Sequence, residues 1–233
     1  MSFMPPRSSK DASFEKGDKV FDHETQILSS KAHAFSLFMS SIGVLETILY
    51  IQLMCKANVD APHGSFFSNP SVTQLRALEI WHVALTTLVI LGYALRKWAF
   101  LTLDRFFTYQ LTIRSEHKLI KTGPYHYVRH PSYIGLLITH IGFHVFVFYS
   151  GLWNVLVQYS AHVLSYYLRI KIAVPLTVCG IDTSIVPLVY CAHKLVLLVL
   201  YRMRNEEKMM KEHFCKEWDA FASERSRLIP RLY

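Results

Sequence analysis

The stretch KTGPYHYVRHPSYIG, residues 121–135, runs directly into the apolar segment LLITHIGFHVFVFY at 136–149. Two lysine or arginine charges, two histidines, three tyrosines and two prolines therefore stand at the mouth of a segment suited to hydrocarbon. Gly123 before Pro124 signals a turn, because glycine accepts backbone angles closed to other residues and proline biases its predecessor out of the helical region. Pro131 biases His130 in the same way and suits the first turn of a helix that begins near Ser132. The spacing thus predicts a compact loop ending at a helix N-terminus, where free backbone N–H groups and the positive end of the helix dipole favour an anion such as a carboxylate. Taken singly, Tyr125, Tyr127, Arg129, His130 and Tyr133 fit an ordinary headgroup belt. Taken together with the paired prolines, they point to a pocket.

Outward from this stretch, the 233-residue chain is 52% hydrophobic and 18% charged, which suits a small membrane protein better than a soluble domain. Residues 33–55 and 77–95 are apolar segments of the length a helix needs to cross roughly 30 Å of hydrocarbon. A third apolar block runs with interruptions from Tyr133 to Tyr201. Lys and Arg are dense before the first span, sparse between Lys56 and Arg76, and dense again from Arg96 to Arg129. By the positive-inside rule the N-terminus, the 104–132 segment and the basic tail from Arg202 then face the cytosol. A chain that leaves the cytosol at 133 and returns by 202 crosses an even number of times, so the expected spans are 33–55, 77–95, 133–149 and 187–201. Residues 150–185, with Gln158, His162, Arg169, Pro175 and Gly180, are expected to be an irregular or interfacial insert. Residues 1–27 are polar and lack a signal-peptide core, so a disordered cytosolic N-terminus is expected, followed by one membrane domain over 28–233.

The formal charge of +8 lies beside apolar spans, which argues for topology and anionic headgroups rather than nucleic acid. Cys55, Cys179, Cys191 and Cys215 are scattered and read as free packing residues. His117, His126 and His130 lack metal-ligand spacing and carboxylate company, so no metal is expected. In RMRNEEK, residues 202–208, Arg202 and Glu206 share a helix face while Glu207 points elsewhere. An i,i+4 ion pair explains that spacing without any function. Its position at the cytosolic end of an apolar span, like that of the 121–135 stretch, lets the two meet across a hairpin.

HKLIKTGPYHYVRHPSYIG followed by the later RMRNEEK resembles the isoprenylcysteine carboxyl methyltransferases, integral membrane enzymes that esterify the C-terminal prenylated cysteine of processed CaaX proteins. The resemblance runs from about Leu91 to Gly142 and from about Leu195 to the end. It implies an all-α membrane protein of about four to five transmembrane helices, with a cytosolic cofactor-binding loop and C-terminal helix, in the endoplasmic reticulum membrane. It implies S-adenosyl-L-methionine as cofactor, bound by Gln110, His117, Lys118, Leu119, Ile120, Tyr125, His130, Pro131, Ser132, Tyr133 and Glu206. Arg202 would contact the substrate carboxylate and act as the catalytic residue. RHPSY alone would also fit a phospholipid N-methyltransferase, and a non-catalytic membrane paralogue is the alternative of another class. The chain departs from the family in spacing: a short hairpin joins the two motifs there, whereas His130 and Arg202 here are 72 positions apart.

Overall fold

The structure, a computed structural model, describes residues 19–20, 48, 51, 79–106, 112–113, 118–149, 152–175 and 177–230. Among these the protein is helical: α1 spans Ile80–Leu103, α2 Pro131–Tyr149, α3 Leu152–Leu168, α4 Ile185–Phe214 and α5 Lys216–Glu224. Of the expected span 33–55, only Ile48 and Ile51 are described, both helical; the remainder lies outside the described residues. Lys19–Val20, within the stretch expected to be disordered, form β1 and pair antiparallel with β2, Thr112–Ile113.

Three helices, α1, α2 and α4, are long and apolar enough to cross a membrane. The outward side chains of α1 include Ile90 at 60% and Leu91 at 61% exposure, an apolar surface that water would not tolerate and lipid would. At its start the Glu79 carboxylate accepts from the Trp81 indole N–H at 2.8 Å, and the Glu79 N–H donates to the His82 ring at 3.1 Å. One free N–H of the helix start is thereby satisfied. The helix runs eight residues past the expected end at 95 and stops at Asp104, whose φ of 45° leaves the right-handed region.

Residues 150–185 are not irregular throughout. α3 runs for 17 residues from Leu152 to Leu168, and Arg169 beyond it takes a φ of 54°. The Gln158 and His162 that argued against a helix in lipid do not argue against a helix as such, because side-chain polarity leaves the i to i−4 ladder intact. β3 (Thr177–Val178) and β4 (Ile181–Asp182) then form a hairpin around Cys179 and Gly180, both at positive φ, as a primed two-residue turn requires. Asp182 accepts from Asn154 Nδ2 at 3.0 Å and from the Ser184 N–H at 2.8 Å, fastening the hairpin to α3 and to the start of α4. Pro187 falls in the first turn of α4, where its missing N–H costs little.

By residue contacts the chain divides into two compact units, one built on Ile90–Thr139 and Val196–Tyr233 with Met1–Phe35, the other on Ser36–Val89 and His140–Leu195. Inside the second, Phe148 packs edge-on against Trp153 with ring centres 5.2 Å apart, and Val155 is fully buried. Inside the first, α1 and α2 approach so closely that a Cβ on Gly135 would lie 2.5 Å from the Gly92 carbonyl oxygen. Small residues permit such backbone contact between membrane helices, where packing must replace the hydrophobic effect. α4 does not run on into α5: Cys215, at φ 46°, ends α4 and α5 sets off separately.

Candidate functional site

Gly123 takes the left-handed φ of 59° that the TGP signal implied, and GPYH closes into a single 3-10 turn. A side chain at Gly123 would also meet Thr102 Oγ1 at 2.9 Å. Pro124, Tyr125, Val128, His130 and Pro131 are buried, so this loop is a packed element. His130 stands before the proline at the start of α2, and its carbonyl accepts from the Tyr133 and Ile134 N–H groups. One of the N–H groups expected to be open to an anion, that of Tyr133, is thus already used. The chemistry passes to side chains.

Those side chains come from two separate segments of the first unit. The Tyr133 hydroxyl donates to Glu206 Oε2 at 2.8 Å, and the Arg202 guanidinium also engages the Tyr133 phenol. One helical turn of α4 thereby presents a cation and a carboxylate to the RHPSY corner, as the i,i+4 spacing allowed. The Tyr125 phenol lies against the Ser132 side chain, and Arg96 Nη1 donates to the Ser132 carbonyl at 3.1 Å. Burial, followed by the nearby Glu206 charge, pushes the Tyr125 hydroxyl well up. It stays a neutral hydrogen-bond donor at any working pH.

Glu207 is the hub of the cluster. Its Oε1 accepts from Arg129 Nη1 at 3.1 Å and lies 3.2 Å from His130 Nε2, while its Oε2 accepts from Arg227 Nη2 at 2.8 Å. Burial pushes the Glu207 carboxyl up, but hydrogen bonds from His130 and Arg227 and the surrounding positive charge outweigh it and hold the group at about 2. Burial likewise draws the Arg129 guanidinium down, against the Glu207 charge that raises it. The cluster holds more guanidinium than carboxylate: Arg96, Arg129, Arg202 and Arg227 against Glu206 and Glu207. Such a surplus favours an incoming anion.

The structure therefore brings together Tyr125, His130, Pro131, Ser132, Tyr133, Arg202 and Glu206. Lys118 is exposed and Leu119 and Ile120 are half-buried in the extended stretch that leads into the turn. Gln110 and His117 lie outside the described residues. Glu207, Arg227 and Arg96 are not among the residues that the sequence nominates, and Arg129 stands there as a pocket residue without an assigned role. One signal was available: two adjacent glutamates point about 100° apart on a helix, so a site gathering His130 and Arg129 could recruit the second as well as the first.

Comparison with known proteins bears on residues 84–173, which match the sequence profile of the isoprenylcysteine carboxyl methyltransferase family. The chain is 50% identical over 58 residues to protein-S-isoprenylcysteine O-methyltransferase B of Arabidopsis thaliana, an overlap covering 24% of this chain and 29% of that one. It is 44% identical over 68 residues to a probable protein-S-isoprenylcysteine O-methyltransferase of Oryza sativa subsp. indica, covering 28% and 36%. The chain thus spans about a third of the length of the curated relatives it matches. No solved structure matches.

Proposed function

We propose, from the match of residues 84–173 to the profile of the isoprenylcysteine carboxyl methyltransferase family, that this chain transfers a methyl group from S-adenosyl-L-methionine to the C-terminal carboxylate of a prenylated cysteine. The observation that carries the proposal is the Tyr133–Glu206 hydrogen bond at 2.8 Å, with Arg202 at the same phenol. It joins the two motifs that the resemblance assigns to cofactor and substrate, across a spacing that left their pairing open. The donor set suits the cofactor: carboxylates for its amino group, and buried phenols that remain neutral beside its charged centre.

When bound, the cofactor would supply an electrophilic methyl group on a sulfonium. The acceptor needs no general base, since a free α-carboxylate ionises at about 3.3 to 3.7 and is already the nucleophile near neutral pH. A hydrated carboxylate attacks poorly, so the protein must remove water and fix direction. Arg202 would hold the carboxylate through its planar fork, which a lysine point charge does less well. Tyr133 orients Glu206 and so would fix the cofactor's polar end relative to Arg202. The apolar faces of the spanning helices give a prenyl chain a lateral route from lipid, while the polar cofactor enters from water. On this reading the protein is multi-pass, its site faces the cytosol, its acceptor is a processed CaaX protein, and its membrane is that of the endoplasmic reticulum.

Full-length protein in nanodiscs, incubated with radiolabelled methyl donor and a farnesylcysteine analogue, should form a base-labile methyl ester. Methylation of phosphatidylethanolamine in its place would transfer the site to phospholipid chemistry. Absence of both products, together with no thermal shift by S-adenosylhomocysteine, would remove the catalytic reading.

A further inference from the structure

The C-terminal residues after α5 fall outside the family match, yet they contact the site directly. Val128 and Ser226 form a parallel bridge. The Arg129 N–H donates to the Ser226 carbonyl at 3.0 Å and the His130 N–H to the Arg227 carbonyl at 3.1 Å. Arg225 Nε reaches the His126 carbonyl at 3.1 Å, and Arg227 grips Glu207 through Nε at 3.1 Å and Nη2 at 2.8 Å. Trp218 and Phe221 of the preceding α5 are buried, at 5% and 3% exposure, and the Arg225 guanidinium lies over the Phe221 ring at 4.7 Å, so the segment is anchored by apolar burial as well as by charge.

We propose that Arg225–Arg227 is a latch that positions His130 and the start of α2, with Glu207 as its catch. The tail holds the His130 peptide by its N–H; the same residue's carbonyl starts α2 and thereby sets Tyr133, which reaches Glu206. Glu207 then draws the tail (Arg227), the loop (Arg129) and the ring of His130 onto one carboxylate. The donor site would consequently form only when the tail is docked. These are positioning roles, and the part that concerns the donor rests on the methyltransferase reading.

The test uses full-length protein in detergent carrying Arg227→Ala or Arg227→Lys, checked for parental helix content. Hydrogen exchange of the Arg129 and His130 amides should accelerate about tenfold in Arg227→Ala and less in Arg227→Lys, because opening the latch exposes both N–H groups. KM for the methyl donor should rise about tenfold with kcat within about twofold, as expected when binding geometry rather than a transition-state contact is lost. Unchanged exchange would overturn the latch. Faster exchange with an unchanged KM would overturn its role at the donor site. A wild-type protein that transfers no methyl group would count against the methyltransferase reading alone, and the exchange measurement would still decide whether the tail docks as described.

Discussion

His130 and Glu207, 77 positions apart in the chain, meet at 3.2 Å between Nε2 and Oε1. The loop that the pair closes contains α3 and the β3–β4 hairpin. Both elements belong to the second compact unit, while both partners belong to the first. A long intervening segment is cheap when it folds on itself, because closure entropy grows only slowly with loop length. The intervening chain therefore does not prevent the two motifs from pairing.

Tyr133→Phe removes the hydroxyl that donates to Glu206 at 2.8 Å and leaves the ring in place. Affinity for S-adenosylhomocysteine should fall about tenfold, in keeping with the roughly 1.5 kcal/mol of a hydrogen bond to a charged group. Isothermal titration on the detergent-purified variant reads the effect. Parental affinity would show that Glu206 needs no such orientation.

Arg202→Ala should lower kcat/KM for a farnesylcysteine analogue about a hundredfold, and Arg202→Lys should recover only part of it, since the bidentate fork is lost while the charge is kept. A steady-state assay of ester formation gives the comparison. Equal rates for Arg202→Ala and the parent would take Arg202 out of the mechanism.

Gly135→Ala forces a methyl group to within 2.5 Å of the Gly92 carbonyl oxygen and 2.8 Å of the Arg96 nitrogen. Both obstacles are backbone, so the helices must separate, at a cost of about 1–3 kcal/mol. Thermal unfolding in detergent should shift downward. Because the displaced residues flank Ser132 and Arg96, donor affinity should fall as well.

Glu207 lies at about 2 in the folded chain against an ordinary 4.5. A depressed carboxyl contributes stability that is fully present above its unfolded value and is lost as pH falls through its folded one. Docking of α5 and the tail should therefore hold above pH 4.5 and loosen as pH drops towards about 2. Fluorescence of Trp218, with the other three tryptophans changed to phenylalanine, follows the transition. In Glu207→Gln the acid limb between those values should disappear.

Asp182→Ala deletes the acceptor of Asn154 Nδ2 and of the Ser184 N–H. It should destabilise the second unit by about 1–2 kcal/mol, the usual cost of losing a cap and a partly buried hydrogen bond. Limited proteolysis near Thr177–Asp182 should quicken accordingly. Cleavage at the parental rate would mean that the hairpin is held by other contacts.

Much of this arrangement is legible in residue order alone, because it depends on local rules. Gly123–Pro124 imposes its turn through backbone sterics, Pro131 starts α2 because its missing N–H is costless there, and the apolar lengths of α1, α2 and α4 select a bilayer. The i,i+4 relation of Arg202 to Glu206 likewise follows from helix geometry before any fold is known. Which partners those side chains find does not follow. Glu207 was turned away from the site by the same helical arithmetic that admitted Glu206, yet it is the carboxylate on which Arg129, His130 and Arg227 converge. That convergence needs the break at Cys215, which turns α5 and brings residues 225–227 alongside 128–130. A left-handed residue at that point, and a parallel bridge between segments nearly a hundred positions apart, are decided by burial of Trp218 and Phe221 and by pairing of Arg227 with the largely buried Glu207 carboxylate. These are energies of contact between distant parts of the chain. Spacing in the sequence carries no record of them.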